Sequence, residues 1–176
     1  RLLVRLDNRD NPVTGPKPLK QLDFNSYGGL YRNVRLLVKP AVHLTDEMLA
    51  DRVAGGGLFI TYPQADAQAA TVAIAADIRN IAPTARIATV RHELFDGDRK
   101  VGEAVETLPL EPGATRRSAV TIGVENPALW SPRHPNLHRL VTHISADGAD
   151  GEEQRVESWI FPVHPTLPGH RAGPKH

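Results

Sequence analysis

Twelve consecutive residues, 23–34, bring together Asp23, Phe24, Asn25, Ser26, Tyr27, the pair Gly28-Gly29, Tyr31 and Arg32. A carboxylate, an amide and hydroxyls supply hydrogen-bond acceptors and donors within one loop. Aromatic faces beside them suit a sugar ring, which offers C–H patches on one side and hydroxyls around its edge. An ionised carboxylate can accept two hydroxyl hydrogen bonds, which favours Asp23 as a sugar-orienting group. The glycine pair permits positive φ or close backbone approach. On residue types alone the simpler reading is a surface loop, with Tyr27 and Tyr31 anchored in the core and Asp23 capping a nearby N–H.

The other reactive side chains are not expected to converge. His134, His138 and His143 lie close in sequence, at spacings that suit a helix. Their segment reads instead as a loop running into a strand, where 138 and 143 face opposite sides. No metal site is therefore expected. His92 reads as a partly buried strand histidine. The triplet Gly55-Gly56-Gly57 lacks the lysine and the spacing of a phosphate loop and reads as a hinge or bulge. Glu93, Glu106 and Glu125 read as solvated strand or turn carboxylates. Trp130 sits in a proline-flanked loop, as an anchor against a neighbouring domain or, alternatively, as a stacking surface for carbohydrate.

The elements that must position these residues are strands. The chain has 176 residues, a net charge of +1 and 40% hydrophobic residues, which fits a globular chain with no basic surplus for nucleic acid. No apolar run approaches a membrane span, and no cysteine is present for a disulfide or a thiolate metal site. The composition leaves the compartment open. Residues 1–8 and 30–39 have strand-like content, the latter alternating through Val34, Leu36 and Val38. Pro40 opens a seam in which 45–52 could form one helical turn. Strands are expected over 58–62 (stopped by Pro63), 70–80, 86–95, 100–106, 117–124, 137–146 and 154–161. The inward residues would include Val72, Ile74, Ile78, Ala88, Val90, Leu94, Ile122, Leu140 and Ile144. Turn signals stand at 96–98 and 147–148, with a loop over 109–115. Roughly seven strands at about 10-residue spacing argue an immunoglobulin-like antiparallel β-sandwich.

Two segments carry a family resemblance. The stretch from Asp23 to Val34 resembles the end of the sugar-binding jelly roll in glycoside hydrolases of family 2, the β-galactosidase, β-glucuronidase and β-mannosidase group. Residues 124–137, Val-Glu-Asn-Pro-Ala-Leu-Trp-Ser-Pro-Arg-His-Pro-Asn-Leu, resemble that family's V-x-N-P-x-L-W-S-P-x-x-P-N-L run in the following immunoglobulin-like domain. The order and separation of the two motifs agree with the family, over roughly residues 1–158. The resemblance implies an all-β chain: an immunoglobulin-like sandwich preceded by the last strands of a jelly roll. Its expected divisions are 1–40 for the end of a galactose-binding-like jelly roll, 41–57 linker, 58–161 sandwich and 162–176 a disordered tail. A jelly roll uses about eight strands, so only its end would be present.

The resemblance also implies roles. Asp23 would reach a neighbouring barrel and hold substrate hydroxyls, near a monovalent or divalent cation in some members. Asn25 is the weaker contact, while Tyr27, Arg32 and Trp130 fall at domain interfaces. The family hydrolyses β-glycosides with retention, using two carboxyl groups at strand ends of a (β/α)₈ barrel. None of the Asp or Glu residues here lies in those catalytic motifs, so no catalytic residue is assigned. The expected function is the non-catalytic portion of a retaining, β-galactosidase-like glycosidase. Its partners would be the catalytic barrel and, in the full enzyme, a β-glycoside, with no nucleic acid and no membrane. No cofactor is expected from this chain itself, although Mg or Na serves the complete site in some members. The alternative is a stand-alone β-sandwich that binds carbohydrate or protein. His138 stands where the family usually has Tyr. The chain starts at Arg1 in strand-like sequence, as a cut through a larger protein would. The last fifteen residues, with four prolines and three histidines, depart from the family pattern.

Overall fold

The computed structural model describes residues 3–6, 29–30, 33–34, 36–46, 50, 56–158 and 160, with the side chains of 150 and 154–158 left aside. Among the described residues eight strands run in order: β1 (Val42–Leu44), β2 (Leu58–Ala65), β3 (Ala69–Asn80), β4 (Arg86–Asp96), β5 (Arg99–Leu110), β6 (Thr115–Glu125), β7 (His138–Ala146) and β8 (Ala149–Ser158). They form two four-stranded sheets. In the first, β3 pairs with β6 on one side and with both β1 and β2 on the other; the second has the order β5-β4-β7-β8. Every pairing is antiparallel. Among the described residues there is no helix long and apolar enough to cross a membrane.

Period-two sequence explains the long strands. Ala70, Val72, Ile74, Ala76 and Ile78 of β3 point inward, as do Ala88, Val90, His92 and Leu94 of β4 and Leu140, Thr142 and Ile144 of β7. The β-branched residues of 70–78 override the helix preference of the alanines between them. The β7–β8 hairpin turns at Asp147 (φ 51°) and Gly148 (φ 79°), two successive positive φ angles of the kind a two-residue hairpin loop requires. The Asp147 carboxylate accepts the Ile87 N–H (3.0 Å) and an Arg86 N–H (2.8 Å), which ties the hairpin tip to β4. Those two bonds, the Ile87 amide first, hold its carboxyl below the usual aspartate range.

Several expectations are corrected. Within the expected linker 41–57, Val42–Leu44 form β1, which pairs with residues 78–80 and buries Val42 and Leu44. Pro63 does not stop β2. The strand continues to Ala65 across a register shift between Thr61 and Gln64, on an edge strand where a missing N–H breaks no ladder bond. Likewise β5 runs past Glu106 through Pro109 to Leu110, because β5 is also an edge. His92 is fully buried rather than partly so. Of the stretches 1–8 and 30–39, the structure describes 3–6, 30, 33–34 and 36–39, and those residues are not in strands. Val34, Leu36 and Val38 are 65%, 88% and 89% exposed, and Leu37 is exposed too, so no face is buried. An alternating pattern makes a strand only when a neighbour takes its N–H and C=O groups. The chain divides into two compact units, Arg1–Val38 and Lys39–His176, and the sandwich belongs to the second.

The core falls into two halves. One packs Val42, Leu44, Ala76, Ile78, Ala88, Val90, Leu108, Leu110 and Ile144. The other packs Ala65, Ala70, Val72, Ile74, Leu94, Ile122, Val124, Leu140 and Ile160. Gly102 marks a close approach of β5 to β6, since a Cβ there would overlap the Ile122 side chain. Ile122 is itself buried and cannot swing aside freely. Gly102→Ala is therefore expected to cost about 1–3 kcal/mol, read as a lower urea midpoint at unchanged slope.

Candidate functional site

The sugar-binding candidates Asp23 and Asn25, and the interface candidates Tyr27 and Arg32, lie outside the described residues, as does the tail 162–176. Trp130 lies within them, and the loop that carries it is rigidly built. Asn126 adopts φ 47°, a left-handed conformation that Asn tolerates better than most residues. Pro127 is buried behind it. The Trp130 N–H donates to the Ile160 carbonyl at 2.9 Å. Ser131 and His134 exchange two backbone hydrogen bonds, 2.9 and 3.0 Å, and the Ser131 hydroxyl also accepts the His134 N–H. The Asn136 amide closes the loop on the Leu129 carbonyl at 3.0 Å. Leu129 packs on the core, Trp130 is half-buried, and residues 132–137 form an exposed tip. The loop thus holds a half-buried indole at a fixed place beside a polar rim.

A second constellation holds the segment that enters the sandwich. Asp77 sits on the outward-facing parity of β3 yet is only 2% exposed. Arg117, its register partner on β6, clasps it through Nε (2.9 Å) and Nη2 (3.2 Å). The Gly56 N–H donates to the same carboxylate at 3.1 Å. Around it, Thr45 N–H donates to the Asp77 carbonyl, Asp77 N–H to the Gly57 carbonyl, and Gly57 N–H to the Thr45 hydroxyl. The triplet at 55–57 therefore includes two glycines at positive φ, 82° and 59°, serving a carboxylate rather than a phosphate. Glu152 on β8 does the same from the other sheet. Its carboxylate accepts the Leu44 N–H at 2.7 Å and pairs with Lys39 at 3.1 Å, while Lys39 also donates to the Leu44 carbonyl. Lys39 and Leu44 are thereby fastened to the second sheet, and Thr45, Gly56 and Gly57 to the first.

The remaining titratable groups divide by face. His138 is buried and His143 points outward, as strand parity requires. His143 lies between Glu93 (3.3 Å) and Glu153 (3.4 Å), and Lys100 joins Glu93 to Glu103. Arg139 stacks on Phe95 at 5.0 Å on the same outer face. Glu93 belongs to this solvated network, whereas Glu106 turns inward, so the two cannot flank one substrate. Among the described residues no group of three or more His, Cys, Asp or Glu residues is arranged to hold a metal. Asp77 and Glu152 carry no local motif, because Arg117 reaches Asp77 by register from 40 residues away and Leu44 meets Glu152 across the two sheets from 108 residues away.

The strand order identifies the class. With β3, β4, β6, β7 and β8 as strands B, C, E, F and G, this is an immunoglobulin-like β-sandwich, in which β5 stays paired to β4. The profile of the family described as glycosyl hydrolases family 2 matches residues 54–158, and the chain belongs to that family. It is 28% identical over 146 residues to a β-galactosidase of Pectobacterium atrosepticum, covering 80% of this chain and 13% of that protein. It is 23% identical over 120 residues to a β-glucuronidase of Formosa agariphila, covering 68% of this chain and 12% of that protein. The crystal structure of a Bacteroides uniformis β-glucuronidase superposes with a TM-score of 0.73 at 24% identity, over 88% of this chain and 18% of that one. The chain therefore spans about an eighth of the length of these two curated relatives.

Replacing Asp77 removes the acceptor for Gly56 and leaves Arg117 unpaired. Because Arg117 is 45% exposed, water compensates part of the loss. Asp77→Ala is expected to lower stability by about 2 kcal/mol and to raise proteolytic cleavage within 45–57 before the strands are cut.

Proposed function

We propose that this chain is the non-catalytic portion of a retaining β-glycosidase, β-galactosidase-like in kind, which supports the catalytic barrel and lends it a sugar-contacting loop. The observation that carries this reading is the family match over 54–158, following a 23–34 stretch that resembles the family's jelly-roll end. In it, the Asp23 carboxylate accepts substrate hydroxyls and Asn25 assists. Tyr27, Arg32 and Trp130 brace the domain boundaries, and the stiffness of the Trp130 loop suits that task. The seam held by Asp77 and Glu152 gives the segment before the sandwich a fixed point of departure. The acid/base and the nucleophile would come from the barrel. A Mg or Na ion, where the complete site uses one, would meet this chain at Asp23, a hard oxygen ligand.

One observation favours the alternative of a stand-alone binding module. An open groove of about 580 Å³ runs over the outer face of the first sheet, with Phe59 and Val105 at its sides and Ala73, Ala75, Ala119 and Thr121 on its floor. Two measurements separate the readings. The 176-residue chain is expected to release no nitrophenol from nitrophenyl β-galactoside or β-glucuronide, and to give no saturable heat with either sugar. Turnover abolished by Asp23→Ala would refute the non-catalytic assignment, and saturable binding would favour the module. In a polypeptide that also carries the barrel, Asp23→Ala is expected to lower kcat/KM roughly ten- to a hundredfold, the loss of charge-assisted hydrogen bonds worth about 1.5–3 kcal/mol.

A further inference from the structure

The two halves of the core do not touch continuously. Between Val90 and Leu94 on β4 comes His92, and between Leu140 and Ile144 on β7 comes Thr142; both are fully buried. They are register partners, and His92 Nδ1 lies 2.9 Å from the Thr142 hydroxyl. At the open edge of the sandwich the same layer continues. On β5, Glu106 is the register partner of inward-facing Val90 and so faces inward itself. Its carboxylate accepts the hydroxyl of fully buried Ser118 at 2.6 Å and the Ala119 N–H at 3.1 Å. Those two bonds join β5 of one sheet to β6 of the other. A polar layer thus lies between the two apolar halves and includes a bridge between the sheets.

His92 Nε2 has no hydrogen-bond partner. An orphaned buried nitrogen is unfavourable until a partner reaches it. His92 stands opposite Ala104, two residues before Glu106 on the same face of β5, which makes Glu106 its diagonal neighbour. Glu106 is the charge that acts on His92. On β7 the inward positions around its register partner Thr142 are Leu140 and Ile144, and the facing sheet turns Ser118, Val120 and Ile122 of β6 and the phenol-bearing Tyr62 of β2 toward the core. The β8 position opposite Thr142 is Gln154, and Glu152, opposite Ile144, is engaged by Leu44 and Lys39. Asp96 and Arg99 lie near His138 instead.

We infer that this layer is an acid-operated latch: protonation of His92 draws the Glu106 carboxylate off Ser118 and Ala119 and frees β5 from β6. The neutral imidazole needs nothing from Glu106, which is then available to bridge the sheets. The imidazolium cannot remain buried without a counter-charge, and Glu106 is the carboxylate placed to supply it. Burial pushes the His92 pKa down to about 4, and the Glu106 charge opposes that shift. A lowered folded-state histidine pKa means that the neutral state's contribution is complete above the unfolded value near 6.5 and is lost as pH falls toward about 4. The latch is closed at neutral pH and opens in acid, independently of whether the chain serves a glycosidase.

Amide hydrogen exchange on the 176-residue chain tests this directly, because the Ala119 N–H is one of the two groups that Glu106 holds. Corrected for intrinsic rates, Ala119 protection is expected to fall by about tenfold or more between pH 7 and about pH 4, while Val72 in β3 keeps its protection. The midpoint should coincide with the titration of the His92 ring followed by NMR. Glu106→Gln keeps an oxygen acceptor for Ser118 and Ala119 but has no charge to offer, so the step should vanish with neutral-pH protection near that of the parent. His92→Gln should also abolish it. A step of unchanged size in Glu106→Gln, no step in the parent chain, or a parallel loss at Ala119 and Val72 would overturn the latch. If His92→Gln does not fold, Glu106→Gln decides together with the midpoint: a step in the parent chain displaced from the His92 ring titration overturns the latch.

Discussion

Burying a carboxylate is costly unless its oxygens are matched, and this sandwich buries Asp77 at the one place where two strands and the entering chain meet. The residue answers to outward parity but is covered by the turn at Gly56 and Gly57. Arg117 meets it across the β3–β6 ladder because the register sets those two residues side by side. Once that carboxylate is satisfied, Thr45 and Gly57 are held by the same strand's backbone, and β1 can follow the end of β3. Glu152 repeats the solution from the opposite sheet. Two matched carboxylates therefore do what a longer first strand would do in a simpler sandwich: they fix where the chain comes in.

The interior follows a different rule. A domain without cysteine lacks the inter-sheet disulfide that fastens antibody domains. Here the sheets are joined by apolar packing in two halves, by Glu152 at one end and by Glu106 at the β5–β6 edge. Polar groups placed between two halves of a core disfavour mispairing, because a one-residue slip would turn His92 and Thr142 outward and bring charges in. The same placement makes the interior sensitive to protonation. Meanwhile the outer face of the second sheet carries Arg91, Glu93, Lys100 and Glu103 in linked ion pairs, with His143 set between Glu93 and Glu153, each contact worth little in water but together a well-solvated surface.

Much of this was legible in the residue pattern where one face is buried and the strand is long. The inward residues of β3, β4, β6 and β7 follow from period-two alternation, and Asp147-Gly148 announces its own hairpin. The pattern failed where the deciding fact was a partner. Three residues after Pro40 carry too little alternation to mark β1, which exists because the end of β3 is free to pair. Pro63 and Pro109 look like strand breakers until β2 and β5 are known to be edges. Leu36 and Val38 alternate convincingly and still make no strand, since alternation describes a face and not a neighbour. Asp77, Glu106 and Glu152 carry no local signature, because what defines them is the register and the approach of distant strands. For the sugar loop, residue types pointed to a chemistry and a family, and the described residues begin again only beyond Asp23 and Asn25.

The central claim is that this segment supports a catalytic barrel that it does not itself supply. The most direct test is the nucleotide sequence on both sides of the segment, translated in all three frames. The account predicts a jelly roll upstream and, downstream, a (β/α)₈ barrel carrying two catalytic glutamates, in frame or one base away. A start before Arg1 and a stop after His176, with no barrel in any frame, would contradict it and leave a binding module in its place.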